Sequence, residues 1–159
     1  MIFVTLGTQD KPFTRLLEAV ENQIKKGNIK EKVIVQAGQT KYDSKYMEVY
    51  DLLSQNDFEK YIKDCSLLIT HGGVGNILTG LNYNKKIIAA PRLFKYGEHA
   101  NDHQVEIIDE FSCKGYIMKL ETFSKLDKVI EDSKKFKNKK YKSNNEKFCK
   151  NLKNELDKL

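Results

Sequence analysis

The sequence predicts an α/β fold built on a roughly six-stranded parallel sheet, and three observations predict it. Short apolar runs rich in β-branched residues alternate along the chain with amphipathic stretches of helical spacing. Several of those runs end on glycine, where a parallel strand hands over to a loop. The 159 residues, 40% hydrophobic and 31% charged, suffice for one domain with a real core but not for two full ones.

Each element has its own justification. Residues 2–6 read as a buried strand ended by Gly7-Thr8. Asp10 is expected to cap the first helix with Pro12 in its first turn. Phe13, Leu16, Leu17, Val20 and Ile24 keep helical spacing until Gly27-Asn28 stops it. Residues 32–37 form the second strand, closed by Gly38, and residues 48–53 the third, after a polar loop. Residues 54–57 offer N-caps to a short helix in which Phe58, Tyr61 and Ile62 share a face. Residues 66–70 are the fourth strand, running into His71-Gly72-Gly73 and a helix through Ile77, Leu78 and Leu81. Residues 86–90 are the fifth strand, closed by Pro91. A polar loop leads to a helix near residues 101–111, and residues 115–120 are the sixth strand. Helices over 122–135 and 144–159 finish the chain. Strands separated by helices of this length call for right-handed βαβ units and a sheet covered on both faces.

The division expected is a body, residues 1–133, and a basic linker with an amphipathic C-terminal helix, residues 134–159. Seven of the nine residues in 134–142 are Lys or Tyr, which reads as a solvated hinge. Phe148, Leu152, Glu155 or Leu156, and Leu159 fall near one stripe of the last helix, which should dock on its own core or on a partner.

Charge sharpens this division. The net charge is +6, yet residues 1–123 carry 16 basic and 16 acidic side chains, and residues 124–159 carry 12 and 6. The body is neutral and the excess belongs to the tail. No nucleic-acid partner is expected, because the tail lacks interleaved aromatics outside Phe136, Tyr141 and Phe148 and carries no nucleic-acid motif. No apolar run approaches the roughly 20 residues of a membrane span. The start Met1-Ile2-Phe3-Val4 enters a strand directly, so no signal peptide is expected. Cys65, Cys113 and Cys149 form no Cys-x-x-Cys pair, which suits a reducing compartment and no disulfide framework.

In an open parallel sheet, ligands bind at the carboxyl ends of the strands. The ends here read Gly7-Thr8-Gln9, Gly38-Gln39-Thr40, His71-Gly72-Gly73-Val74-Gly75-Asn76 and Pro91-Arg92. Three glycines between a strand and a helix N-terminus expose free N–H groups to an anion, and a diphosphate is the natural guest. Close helix–sheet packing is the other use of such glycines. The turn is neither Gly-x-x-x-x-Gly-Lys-Ser/Thr nor Gly-x-Gly-x-x-Gly. All three histidines lie within residues 71–103, beside Glu98, Asp102 and Gln104. His99 and His103 lack a third ligand in metal-binding order, so no metal is expected. The 98–104 loop reads as donors and acceptors for sugar hydroxyls, or as a polar loop with a helix cap at Asn101 or Asp102.

The segment from Cys65 through His71-Gly72-Gly73-Val74-Gly75-Asn76 to Leu78, then Pro91-Arg92, then Gly97-Glu98-His99-Ala100-Asn101-Asp102-His103-Gln104, resembles the donor-binding half of GT-B glycosyltransferases of family 28. Val4 to Thr8 is similar too. The likeness covers about residues 1–130 and is greatest to the soluble catalytic subunits of two-component enzymes. These include the N-acetylglucosamine transferase of eukaryotic lipid-linked oligosaccharide assembly, and bacterial capsular or exopolysaccharide β-1,4-glycosyltransferase subunits.

The resemblance implies a single Rossmann-like domain and an inverting, metal-independent hexosyltransferase with no cofactor. A UDP-sugar (UDP-Gal, UDP-Glc or UDP-GlcNAc) would be its donor, and a lipid-diphosphate-linked saccharide its acceptor, in polysaccharide biosynthesis. Gly72, Gly73, Val74 and Gly75 would hold the diphosphate, flanked by His71 and Asn76. Gly7 and Thr8 would line the opposite wall, and Leu53 and Ser54 would sit near the uracil. Arg92 is a candidate cation for the leaving UDP or a loop-bracing arginine. Asp102 and Gln104 would contact the sugar, and Glu98, His99 and His103 are the catalytic candidates. Many relatives carry a Glu for the ribose where Thr79 stands here. The chain leaves no residues for an acceptor domain. A membrane-anchored partner is therefore expected to supply it, with this subunit cytoplasmic and peripheral at the inner face of the membrane. The rival reading is a nucleotide-sugar-binding regulatory subunit without turnover.

Overall fold

The computed structural model describes residues 1–143, so the C-terminal helix expected over 144–159 lies outside the described residues. Six strands form one sheet: β1 (Ile2–Thr5), β2 (Val33–Gln36), β3 (Glu48–Tyr50), β4 (Leu67–His71), β5 (Ile87–Ala90) and β6 (Met118–Lys119). Their order is β3-β2-β1-β4-β5-β6, and every pairing is parallel. The helices are α1 (Thr14–Lys25), α2 (Gln55–Asp64), α3 (Val74–Asn82), α4 (His103–Cys113) and α5 (Leu126–Lys135), with 3-10 turns at Phe94–Tyr96 and Phe123–Lys125.

Strand alternation splits the core in two. Ile2, Val4, Val33, Val35, Leu67, Ile69 and Ile88 pack on one face with Leu16, Leu17 and Val20 of α1 and Leu126 and Ile130 of α5. Phe3, Ile34, Leu68, Ile87 and Ala89 pack on the other with Ile62 of α2, Ile77 and Leu81 of α3 and Ile108 of α4. Because both faces are covered, β1, β2, β4 and β5 are buried at every position and read as unbroken apolar runs.

Two expectations are corrected. Asp10 does not cap α1, and Pro12 lies before it. The N-cap position is Phe13, with no side-chain cap. Phe13 is fully buried, and its N–H donates to Thr40 Oγ1 at 2.9 Å, so the loop after β2 anchors the helix entry. The third strand ends at Tyr50 rather than residue 53. Leu53 N–H leaves the ladder and donates to the Gln36 side chain at 3.1 Å.

The strand order positions the site. After β1 the chain builds outward through β2 and β3, then returns to lay β4 on the other side of β1. The crevice outside the carboxyl ends of β1 and β4 is therefore the topological switch point, where connections diverge and leave room for a ligand.

Candidate functional site

A cleft of about 470 Å³ opens at that switch point, within the size range of small-molecule sites. The turn after β1 lines it with Gly7, Thr8 and Gln9, and the end of β4, the turn after it and the first turn of α3 line it with His71, Gly73, Gly75 and Asn76. Its third side is Gln36, Leu52, Leu53, Gln55 and Phe58. A larger cleft of about 580 Å³ lies between α1 and the loops after β5 and β6. Arg15, which lines that one, is held in an ion pair with Glu98.

The floor of the switch-point cleft is shaped by glycine. Gly7 has φ +73°, and a Cβ there would sit 2.5 Å from His71 Nε2. A Cβ on Gly73 would sit 2.2 Å from His71 Cε1. The imidazole is thus packed between two turns that tolerate no side chain, and the backbone of each turn is bared to the cleft. Gly73 is also the N-cap of α3, with no side-chain hydrogen bond. The first N–H groups of a helix have no acceptor within it, and with no capping side chain they are available to an anion.

His71 is 8% exposed. Its Nδ1 lies 3.2 Å from Gln104 Nε2, and its Nε2 lies 3.3 Å from the Asn76 amide. Burial, and behind it the charge of Arg92, pushes its pKa down to about 4, so the ring is neutral at ordinary pH.

The other expected site residues are distributed around this cleft. Leu53 lines it, while Ser54 caps α2, its Oγ accepting from Asp57 N–H at 3.1 Å. Val74 is exposed at the start of α3. Gly72 is buried and donates its N–H to Gln104 Oε1 at 3.0 Å. Thr79 donates to Gly75 O at 2.8 Å within α3.

Arg92 is 1% exposed and does not line the cleft. Its Nη1 donates to Lys11 O at 2.6 Å and Glu98 O at 3.3 Å, its Nη2 donates to Leu6 O at 2.7 Å, and the guanidinium lies 5.0 Å from the Phe13 ring centre. It ties the loop after β5 to the loop after β1. Burial lowers its pKa to about 10, which leaves it charged at neutral pH.

The 98–104 segment does not line the cleft. Glu98 is buried and ion-paired with Arg15 at 2.6 Å. Asp102 accepts from Phe94 N–H at 2.8 Å, and His99 Nδ1 accepts from Asn101 N–H at 3.3 Å. His103 is exposed, its Nδ1 3.0 Å from Glu106 Oε2. Gln104 is buried beneath His71 and Gly72. Gln36, Gln55 and Phe58 line the cleft but escaped sequence reasoning. For Gln36 the signal was present: a polar residue closes the apolar run Val33-Ile34-Val35. Phe58 gave no such signal, because an aromatic on a helix face reads as core.

The chain matches the family described as the glycosyltransferase family 28 C-terminal domain over residues 1–158. No curated protein matches it in sequence. Among solved structures it is similar to the glycosyltransferase of kitacinnamycin, with 18% identity, a TM-score of 0.60 and 83% of this chain covered. It is also similar to the glycosyltransferase SnogD from Streptomyces nogalater, with 17% identity, a TM-score of 0.54 and 84% of this chain covered. The chain spans only 34% and 38% of those two proteins. The solution structure of ALG13 is similar at 22% identity and a TM-score of 0.58, with 89% of each chain covered. At these identities the likeness is one of fold.

Proposed function

This chain belongs to the glycosyltransferase family 28 C-terminal domain family, and from that premise we propose that its switch-point cleft binds the diphosphate of a UDP-sugar for inverting transfer of the sugar. The observation that carries the reading is the uncapped N-terminus of α3 opening into a cleft walled by two glycine turns. Departure of UDP leaves charge on the diphosphate. Fixed N–H groups and the helix dipole stabilise that charge without reorganising, and in this reading they do so without a metal. Leu53 and Phe58, on the third side of the cleft, suit the flat face of uracil. In the inverting reaction the acceptor hydroxyl attacks the anomeric carbon from the face opposite UDP, the glycosidic bond to the diphosphate breaks, and a base takes the hydroxyl proton.

The residues that line the cleft include one titratable side chain, His71, and it is buried with both ring nitrogens engaged. We therefore assign the base to a separate acceptor-binding subunit, in preference to Glu98, His99 or His103. That partner would be membrane-anchored and would carry a lipid-linked saccharide, which makes this chain a peripheral subunit. Among the described residues no helix is long and apolar enough to cross a membrane.

The test is thermal unfolding with UDP, UDP-Glc, UDP-Gal and UDP-GlcNAc. A ligand that binds only the folded state raises the melting temperature, by about 2.7 kcal/mol of stability at a hundred-fold excess over Kd. A rise with UDP and a larger rise with one of the sugars is expected. No shift with any of the four overturns the reading.

A further inference from the structure

We propose that Gln104 is a positioning residue that fixes His71 as its Nε2–H tautomer, so that a neutral ring N–H faces the cleft between Gly7 and Gly73. The argument starts from the Gln104 amide, which is 4% exposed. Two backbone N–H groups converge on one of its terminal atoms, Gly72 N at 3.0 Å and Arg92 N at 3.1 Å. An amide NH2 accepts no hydrogen bond, so that atom is the oxygen. The nitrogen then faces His71 Nδ1 at 3.2 Å and donates to it. Nδ1 is therefore the bare nitrogen, and a neutral imidazole carries its proton on Nε2.

The surroundings hold this arrangement. A Cβ on Gly72 would lie 2.7 Å from Gln104 Cβ, so the glycine is what lets Gln104 pack directly on that turn. His71 Nε2 lies where a Cβ of Gly7 or of Gly73 would come within 2.5 or 2.6 Å, on the cleft floor. The charged or titratable groups acting on the ring are Arg92 and His99. The neutral Asn76 of α3 contacts the ring at Nε2, and its amide is in turn within reach of the neutral Thr5 of β1 and Thr70 of β4. The Asn76 atom drawn 3.3 Å from Nε2 is the amide nitrogen, which would set two N–H groups against each other. A half-turn of that amide presents its oxygen to Nε2–H and turns both threonine hydroxyls from acceptors into donors to that oxygen.

One consequence concerns chemistry. A ring with Nε2 protonated and Nδ1 buried against an amide offers the cleft a hydrogen-bond donor, which a bound anion shares with the Asn76 oxygen, and no lone pair. His71 then acts on a bound diphosphate as an uncharged donor and not as a base. This last use rests on the proposed UDP-sugar reading. The tautomer itself stands on the geometry of the unliganded chain.

Long-range nitrogen–proton NMR of the imidazoles tests the proposal on the folded protein without ligand. The chain has three histidines, and the His99→Gln/His103→Gln variant leaves His71 as the one ring in the spectrum. The expected signature is an unprotonated Nδ1 and a protonated Nε2. A protonated Nδ1, or a rapidly averaging pair, overturns the assignment. Gln104→Glu keeps an oxygen for Gly72 and Arg92 but turns the donor facing Nδ1 into an acceptor. It should move a proton onto Nδ1 and weaken UDP binding by about ten-fold or more, the size of one lost hydrogen bond to a charged group. An Nε2–H signature unchanged in Gln104→Glu removes Gln104 as its cause. If Gln104→Glu does not fold, the spectrum of the native side chain still decides the tautomer. Failure of UDP to bind a chain with the expected signature sinks the nucleotide reading and leaves the positioning role standing.

Discussion

Glu98 and Arg15, 83 residues apart in sequence, form a two-pronged ion pair, with Nε to Oε1 at 2.6 Å and Nη2 to Oε2 at 2.7 Å. Glu98 Oε2 also accepts from Leu93 N–H at 3.0 Å, and the Arg15 guanidinium is flanked by Tyr96 and Phe123 at 4.1 and 4.4 Å from their ring centres. A parallel guanidinium–carboxylate fork of this kind is among the stronger polar contacts available to a protein.

Replacing Glu98 by Gln removes one charge and leaves the Arg15 cation facing a neutral amide in a half-buried site. Breaking a buried pair costs about 3–5 kcal/mol, and because Arg15 is partly open to solvent the loss expected here falls below that range, at roughly 2–3 kcal/mol. Urea unfolding of Glu98→Gln measures it. The UDP affinity of the folded variant should stay within about two-fold of the native chain, because the pair lies outside the cleft. A stable variant with abolished UDP binding would return Glu98 to the site.

Glycine substitutions around His71 separate packing from ligand contact. Gly73→Ala drives a Cβ to 2.2 Å from His71 Cε1, and Gly7→Ala adds a left-handed backbone to a 2.5 Å clash with Nε2. Each should cost stability, Gly7→Ala by an extra ~1–2 kcal/mol for its φ, and each should abolish stabilisation by UDP. Gly75 has open space where its Cβ would be. Gly75→Ala should therefore melt like the native chain, apart from the small gain expected of Ala within a helix, and still bind UDP more weakly if the diphosphate seats on the first turn of α3. Equal UDP affinity in Gly75→Ala would move the ligand off that helix.

Gln36 closes the third side of the cleft by accepting the Leu53 N–H, and it is buried. Gln36→Met has nearly the same volume but leaves that N–H unpaired, at a cost of about 1–3 kcal/mol. If Leu53 and Phe58 hold the base, Gln36→Met weakens UDP while leaving inorganic pyrophosphate affinity unchanged, as isothermal titration would read. Equal weakening of both ligands would place the base elsewhere.

What the sequence revealed and what it hid follow from the range of the interactions. The strands were legible because a strand covered on both faces, such as β4 from Leu67 to His71, shows as an apolar run ending at its glycines. Gly7 was legible because a local backbone demand, φ +73°, restricts the position to glycine, whereas Gly73 has an ordinary φ of −76° and is glycine because His71 fills the space of its Cβ. The environment of the 92–104 segment was not legible. Arg92 donates to Leu6 and Lys11, Glu98 accepts from Arg15, and Gln104 accepts from Gly72 and faces His71, all contacts between distant parts of the chain that no local pattern encodes. The start of α1 is hidden for the same reason, since the Thr40 hydroxyl that holds Phe13 N–H lies 27 residues away.

Acid should destabilise the fold through His71 before it reaches the carboxylates. Folding lowers its pKa from the ordinary value of 6.5 to about 4, chiefly by burial and then by the charge of Arg92. The unfolded chain therefore binds the proton more tightly than the folded one does. The stability this group contributes is complete above pH 6.5 and is lost as pH falls from 6.5 toward 4, by about 3 kcal/mol in all. Glu21 and Glu31 have lowered pKa values and act in the same direction, but only below about 4.5. The window from pH 6.5 to 5 thus isolates the imidazole, over which urea unfolding should show a loss of about 2 kcal/mol. His71→Asn should flatten the curve across that window by the same amount. A native chain whose stability does not fall between pH 6.5 and 5 would mean that His71 is protonated as readily inside the fold as in water.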